Sequence, residues 1–108
     1  MNSNLDLKNQ LLTVHVSGDL ISTNAEALRS GICELLKSSE GAPQKWKTFQ
    51  LDLTGAKIID SVGLNVIVAV LKRVQQRAAK MQITYSDPNV FRTFTFTRLD
   101  KHLELVKV

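Results

Sequence analysis

Asp60 and Ser61 are the residues best suited to chemistry, because they form a small polar pair between the apolar residues Ile58 and Ile59 and a long amphipathic segment. A serine where a loop enters a helix can cap the helix, act as a nucleophile or carry a phosphate. Free backbone N–H groups and the helix dipole favour a negative group there. The spacing predicts Ser61 as the N-cap residue, in a position that suits a phosphate.

Catalysis at Ser61 would need a general base, and the chain contains two histidines, His15 and His102. We expect His15 inside a strand and His102 near the end of the chain, and no Gly-x-Ser-x-Gly turn surrounds the serine. Asp52 lies near the end of a predicted strand, as a receiver-domain phosphoacceptor does, but the acidic pair expected at the end of the first strand is missing. The residues therefore predict a protein that is not an enzyme.

The sequence also lacks the residues that a metal, cofactor or nucleic-acid site needs. One cysteine, Cys33, and two histidines are too few for a zinc site, and no glycine-rich loop is suited to a nucleotide. The formal net charge is +4, but helical spacing scatters the basic group over the polar side of one helix, and no aromatic residues interleave with it. We expect a solvated helix face at Lys72, Arg73, Arg77 and Lys80.

The length of 108 residues predicts one domain over residues 1–108, large enough for its own core. No apolar run approaches the ~18 residues of a membrane-spanning candidate. The first ten residues lack the basic start and apolar stretch of a signal peptide. We therefore expect a cytoplasmic, soluble monomer that has no direct contact with a membrane or a nucleic acid.

In the N-terminal half, a strand is predicted over Leu11–Ser17, ended by Gly18, with a short strand around Leu5–Lys8 pairing through a turn near Asn9. Thr23 stands three residues before Glu26, the spacing of a capping box, and predicts the start of a helix. That helix would carry Cys33 into the core and end at the turn-rich residues 38–43. Its predicted buried stripe comprises Ala25, Leu28, Ile32, Leu35 and Leu36.

In the C-terminal half, strands are predicted over Thr48–Leu53, Met81–Tyr85 and Leu103–Val108. The most regular helix begins at Ser61, with an apolar stripe at Leu64, Ile67, Val68, Leu71, Val74 and Ala78. Asp87 and Pro88 predict a helix through about Phe96, although TFTFT alternates like a strand. Trp46 is expected to pack as a buried anchor. This order predicts an α/β sandwich: a mostly parallel sheet with helices packed against it.

Two stretches carry a family resemblance: QLDLTGAKIIDSVGLNVIV at Gln50–Val68 and VSGDL at Val16–Leu20. With the order of elements from Val14 to Val108, they resemble the STAS domain of bacterial anti-sigma factor antagonists. In that family the serine after the aspartate is phosphorylated, a position filled here by Ser61. The resemblance implies that the unphosphorylated domain binds an anti-sigma factor that is also a serine kinase of the histidine-kinase-like ATPase type. A sigma factor is thereby released, phosphorylation ends the contact, and a serine phosphatase would restore it.

The same resemblance implies a set of partner-binding residues: Asp19, Asp60, Ser61, Gly63, Leu64 and Asn65. Gly63 would leave a bare surface for the partner, and Asp60 would either orient the Ser61 hydroxyl or terminate the loop. The chain departs from the family at Ile21 and Ser22, where a second aspartate is often found, and at Asn65, which replaces a small residue. The positive charge predicts an acidic face on the partner.

The departure at Ile21 keeps a second function open. In that alternative the domain is an unswitched STAS-like subunit that scaffolds a complex, binds a nucleotide or serves a transport complex.

Overall fold

Five strands form one sheet in this computed structural model, which describes residues 2–38 and 45–108. The strands lie side by side in chain order, β1 being antiparallel to β2 and the other neighbours parallel. The predicted α/β sandwich with a mostly parallel sheet is confirmed. The strands are β1 Asn2–Asp6, β2 Leu11–His15, β3 Thr48–Leu53, β4 Lys80–Tyr85 and β5 Glu104–Lys107. The helices are α1 Ala25–Lys37, α2 Ser61–Gln76 and α3 Pro88–Phe96, followed by a 3-10 turn at Leu99–Lys101.

The sheet has one apolar and one polar face, because side chains alternate along each strand. In β3, Phe49, Leu51 and Leu53 are fully buried, whereas Thr48, Gln50 and Asp52 are only partly buried. Buried residues from all three helices belong to the same apolar cluster as the β3 residues, so the helices pack on this face. The other face carries polar pairs such as Gln82, whose side-chain amide donates to Gln50 over 2.6 Å.

Helix α2 packs through residues at helical spacing, and burying each large apolar side chain contributes about 1.5–3 kcal/mol. Its buried side chains are Val66, Ile67, Val70, Leu71 and Val74. The predicted stripe was wrong at its end. Ala78 lies beyond the helix at φ 56°, because α2 ends at Gln76 with Arg77 as its C-cap residue.

The capping box predicted for α1 was also wrong. The N-cap residue is Asn24 and no side chain caps the first turn. The Asn24 side chain instead serves the preceding loop: its Oδ1 accepts from the Ile21 amide over 2.9 Å and its Nδ2 donates to the Asp19 carbonyl over 2.7 Å. Cys33 is only partly buried rather than a core residue, because it lies one position away from the buried stripe.

The ends of several predicted strands shift. Strand β1 overlaps the predicted segment only at Leu5 and Asp6, because the residues after Asp6 form the turn to β2, and β2 ends at His15 rather than at Ser17. Strand β4 begins one residue earlier than predicted, at Lys80, and β5 is shorter than predicted at both ends. The predicted loop at residues 38–43 lies outside the described residues except for Ser38.

The helix predicted after Asp87 is confirmed as α3, whose first residue is Pro88. Asp87 caps it, accepting a hydrogen bond from the Asn89 amide over 2.8 Å. Trp46 is buried as predicted. Its ring packs edge-on against Phe49 at 6.0 Å between centroids, and the Arg77 guanidinium lies 5.9 Å from the Trp46 ring centroid.

Candidate functional site at the carboxyl edge of the sheet

The loops that follow β2 and β3 meet beside the start of α2, at the carboxyl edge of the parallel strands. Leu20 and Ile59 form an isolated parallel bridge, which extends the β2 and β3 pairing into the loops. The Leu20 amide donates to the Ile58 carbonyl over 3.1 Å, and the Asp60 amide donates to the Leu20 carbonyl over 3.2 Å. The backbone around Asp60 is therefore held by hydrogen bonds to another loop.

Asp60, and not Ser61, is the N-cap residue of α2. Its backbone is extended, at φ −86° and ψ −178°, and its Oδ1 accepts from the Gly63 amide over 2.8 Å. Its second carboxylate oxygen accepts from the Ser22 amide over 2.8 Å. The predicted N-cap at Ser61 is thus wrong by one residue, and Ser61 is the first residue of the helix. Asp60 ends the loop, caps the helix and ties it to the β2 loop.

Asp19 makes the equivalent connection in the opposite direction. Its Oδ1 accepts from the amides of Lys57 over 2.7 Å and Ile58 over 3.0 Å. These two backbone hydrogen bonds, with the nearby Lys57 charge, outweigh the effect of burial and hold the pKa of Asp19 below its usual value. The carboxylate of Asp19 thus positions the loop that leads to Ser61.

Gly63 is buried, and it faces Leu20 rather than open surface. A Cβ added to Gly63 would overlap the Leu20 carbonyl oxygen and would lie 2.9 Å from the Leu20 Cγ. The bare surface predicted at this glycine is therefore wrong, since the chain itself fills the space. What requires glycine here is the close approach of the β2 loop to α2.

Ser61 is exposed, and within the described part of the chain its hydroxyl makes no hydrogen bond. Ser22 and Asn65 are also exposed, and Asn65 lies one helical turn after Ser61 on the same face. Leu64 is partly buried and packs against the core. The sequence analysis missed one exposed apolar residue in the loop that leads to Ser61: Ile58, which is 56% exposed.

A family model described as the STAS domain matches residues 2–107. The chain belongs to the STAS domain family. Because the match spans nearly the whole chain, it covers the loops and the helix start around Ser61 as well as the sheet.

Solved structures with the fold of this STAS domain include anti-sigma factor antagonists. One, from Mycobacterium paratuberculosis, is 21% identical with a TM-score of 0.75, covering 97% of this chain and 84% of its own. The phosphorylated form of the Bacillus cell fate determinant SpoIIAA is 14% identical with a TM-score of 0.68, covering 99% and 91%. A sulfate transporter family protein from Wolinella succinogenes is 11% identical with a TM-score of 0.73, covering 90% and 76%.

A second polar cluster in this STAS domain lies on the polar face of the sheet, around Asp52. Its Oδ1 accepts from the Thr54 amide over 3.0 Å, the Thr54 hydroxyl over 2.7 Å and the Thr84 hydroxyl over 3.1 Å. Its Oδ2 lies 2.7 Å from the His15 Nδ1. No hydrogen bond within the described ranges joins this cluster to Ser61. Among the described residues, His15 is hydrogen-bonded to the Asp52 carboxylate and not to Ser61.

The sequence analysis did not assemble this cluster, although its signal was present. His15, Asp52 and Thr84 lie on three neighbouring strands, and the strand register places them opposite one another. Burial raises the pKa of Asp52, but the hydrogen bonds from Thr54, His15 and Thr84 prevail and lower it to about 2.

This pKa predicts how the stability of the STAS domain depends on pH. The folded pKa of Asp52 is about 2, below the reference value of 3.8, so its stabilising contribution is present above about pH 4 and is lost as the pH falls through 2. At neutral pH it is on the order of 2 kcal/mol. When the pH falls from about 6 to about 3, the free energy of unfolding measured with urea should decrease by about 1 kcal/mol less for Asp52→Asn than for the wild type.

Asp100→Asn serves as the matched control for that measurement, because Asp100 is an exposed carboxylate on the 3-10 turn. This variant should keep the pH dependence of the wild type. If Asp52→Asn does so as well, the stabilisation lost at low pH does not come from the Asp52 cluster.

Residues 2–38 and 45–108 were the ranges in which two further features of the chain are described. Within those ranges, no three side chains of the metal-binding types come together. None of the helices there is long and apolar enough to cross a membrane.

Proposed function

We propose that this STAS domain is a protein-interaction module switched by phosphate on Ser61. In its unphosphorylated state it binds an anti-sigma factor that is also a serine kinase of the histidine-kinase-like ATPase type, and a sigma factor is released. The observation that carries the proposal is the exposed Ser61 hydroxyl at the first position of α2, beside loops held by Asp19 and Asp60.

The start of α2 suits a phosphoserine in the free domain. The first N–H groups of a helix lack intrahelical acceptors and form its positive end. Asp60 already occupies the amide of Gly63, so the groups left for a phosphate are those nearest Ser61. A phosphate there adds about −1.5 to −2 charges to a position that is exposed and not part of the core. We therefore expect phosphorylation to leave the fold intact.

The same charge opposes binding of the partner. Ser61 and Asn65 are exposed, uncharged polar residues one helical turn apart, and Ile58, three residues before Ser61, is an exposed apolar residue. Docking would remove water from these groups, and a buried, unpaired phosphate is costly. The charge would also stand next to the Asp60 carboxylate. Phosphorylation should therefore speed dissociation of the complex, and a serine phosphatase would restore binding.

The partner-binding surface proposed here comprises Asp19, Asp60, Ser61, Gly63, Leu64 and Asn65, in two different roles. Ser61 and Asn65 are exposed and suited to direct contact, whereas Asp19, Asp60 and Gly63 act by positioning the loops. The formal net charge of +4 suits a partner with an acidic face. We further propose a cytoplasmic monomer that has no catalytic activity and no cofactor.

Two comparisons bear on the choice between a switched and an unswitched module. Support for the switch comes from the similarity of the fold to that of SpoIIAA, which has been solved in a phosphorylated form. An unswitched subunit of a transport complex is favoured by the similarity to a sulfate transporter family protein and by Ile21 and Ser22 beside the site.

Phosphate mapping separates these two functions. We expect the kinase-like ATPase that co-purifies with this chain to phosphorylate the wild type on Ser61 when ATP is added, as read by peptide mass spectrometry. Ser61→Ala should take up no phosphate. Ser22→Ala is the matched control, because Ser22 is an exposed serine in the neighbouring loop, and it should be phosphorylated as the wild type is. Phosphate on Ser22, or on neither serine, would favour the unswitched subunit.

A further inference from the structure

The outer face of α3 carries an exposed aromatic side chain that neither the core nor the Ser61 surface uses. Phe96 is 91% exposed, whereas Val90 and Phe94 on the inner face of α3 are fully buried. Phe96 forms one wall of a surface notch of about 290 Å³, lined by Arg92, Thr93, Phe96 and Thr97. These four residues are called the α3 notch below.

The notch is more apolar than its residue types indicate. The Thr93 hydroxyl donates to the Asn89 carbonyl over 3.0 Å, and the Thr97 hydroxyl donates to the Thr93 carbonyl over 2.8 Å. Both hydroxyls are thus bonded to the backbone of the helix itself, so a partner need not satisfy them. The notch can therefore receive one aliphatic side chain at a low desolvation cost.

The charges beside the notch are positive. Arg92 lines the notch, and Arg98 directly follows Thr97, the last of the notch residues. Both arginines are exposed. Asp100, the next acidic residue along the chain, lines a different groove together with Lys101 and His102. With a formal net charge of +4, the chain offers this surface to a negative group rather than to a second copy of itself.

The notch lies far from Ser61 because of the topology. Helix α3 begins just after the carboxyl end of β4 and must run back across the domain, since β5 is parallel to β4. The nine residues of α3 span about 13 Å. Phe96 at its last turn is therefore near the amino end of the sheet, whereas Ser61 is at the carboxyl edge.

We propose that the α3 notch is a second docking surface, which binds a segment of an acidic protein. The segment inserts one aliphatic side chain between Phe96 and Thr93 and sets a carboxylate against Arg92. A concave site for one side chain fits a protein segment better than a lipid surface, because stable membrane anchoring takes two membrane signals and Phe96 is the one large apolar side chain among the described residues that line the notch. The surface is equally available whether Ser61 is free or phosphorylated.

The test uses the whole chain, labelled for NMR, and a defined probe. The probe is an alanine-based peptide of about 15 residues with leucine at every third or fourth position and four glutamates, spaced so that none is three or four residues from another. We expect it to shift the amide signals of residues 92–97 at up to millimolar concentration. The same peptide with lysine in place of glutamate should bind at least about tenfold more weakly, a difference of about 1.4 kcal/mol.

Variants and a lipid probe decide the outcome. Phe96→Ser and Arg92→Glu should each weaken binding of the acidic peptide at least about tenfold, and both remain folded because both residues are exposed. Leu7→Ser is the matched control, since Leu7 is an exposed apolar side chain elsewhere, 66% accessible, and it should bind as the wild type does. Ser61→Asp should also bind equally. No shifts, equal binding of both peptides, or stronger binding to phosphatidylglycerol vesicles than to the acidic peptide would overturn the proposal.

Discussion

Ser61→Asp is expected to weaken capture of the anti-sigma factor kinase by about 10- to 100-fold, or about 1.4–2.8 kcal/mol. The added carboxylate stands on an exposed surface beside the Asp60 carboxylate, and docking would have to desolvate it. The free energy of unfolding should change by less than about 0.5 kcal/mol, because the position is exposed and an acidic residue is favoured in the first turn of a helix. Titration calorimetry and urea unfolding measure the two quantities separately.

Ser61→Ala provides the control for that experiment. It adds no charge, and in the described residues the hydroxyl that it removes makes no hydrogen bond, so binding should stay within about threefold of the wild type. Equal binding of Ser61→Asp and the wild type would contradict the switch. A large loss of stability in Ser61→Asp would show that the substitution acts on the fold instead.

Gly63→Ala is expected to destabilise the domain by about 1–3 kcal/mol and to weaken partner binding as well. Its Cβ would overlap the Leu20 carbonyl oxygen, which is backbone and cannot rotate away. The β2 loop would have to move from α2, stretching the hydrogen bond from the Ser22 amide to Asp60. The melting temperature should fall by about 4–8 °C for each kcal/mol lost.

Gly55→Ala is the matched control, because Gly55 lies in the loop that leads to α2 and a Cβ there makes ordinary contacts, 3.5 Å from the Gly18 amide nitrogen at the nearest. We expect its stability to stay within about 0.5 kcal/mol of the wild type. If both alanine variants are equally stable, the close approach of Leu20 to Gly63 does not require glycine. If Gly63→Ala is destabilised but binds normally, the position of the β2 loop does not affect binding.

Ser61→Asp and Gly63→Ala change different parts of the proposed switch. Ser61→Asp changes the charge of the exposed surface with little effect on the loops. Gly63→Ala changes the position of the β2 loop without adding charge. If only Ser61→Asp weakens binding, the partner responds to the charge at Ser61. If Gly63→Ala weakens binding as well, the partner also contacts the loop that carries Ile21 and Ser22.

Local patterns were sufficient to predict most of the fold. The alternation of Phe49, Leu51 and Leu53 predicted β3 because one face of a strand is buried. Asp87 followed by Pro88 predicted α3 correctly against the strand-like alternation of TFTFT, since a cap and a proline at the first turn act within a few residues. The prediction of a capping box at Thr23 and Glu26 was wrong, and the side chain of Asn24, the N-cap residue, forms hydrogen bonds with the preceding loop. Residue spacing alone does not show which of these local hydrogen bonds will form.

The sequence by itself determined the order of strands and helices and the position of a serine at the start of α2, because both follow from periodicity and capping over a few residues. Only the tertiary structure decided what Asp19, Asp60 and Gly63 do. The carboxylate contacts join residues 38 or 39 positions apart, and Gly63 is buried by Leu20 from another loop. Likewise, the cluster of His15 with Asp52 and the exposure of Phe96 depend on which elements become neighbours. Local propensity does not encode such contacts, since their energy appears only when distant segments pack.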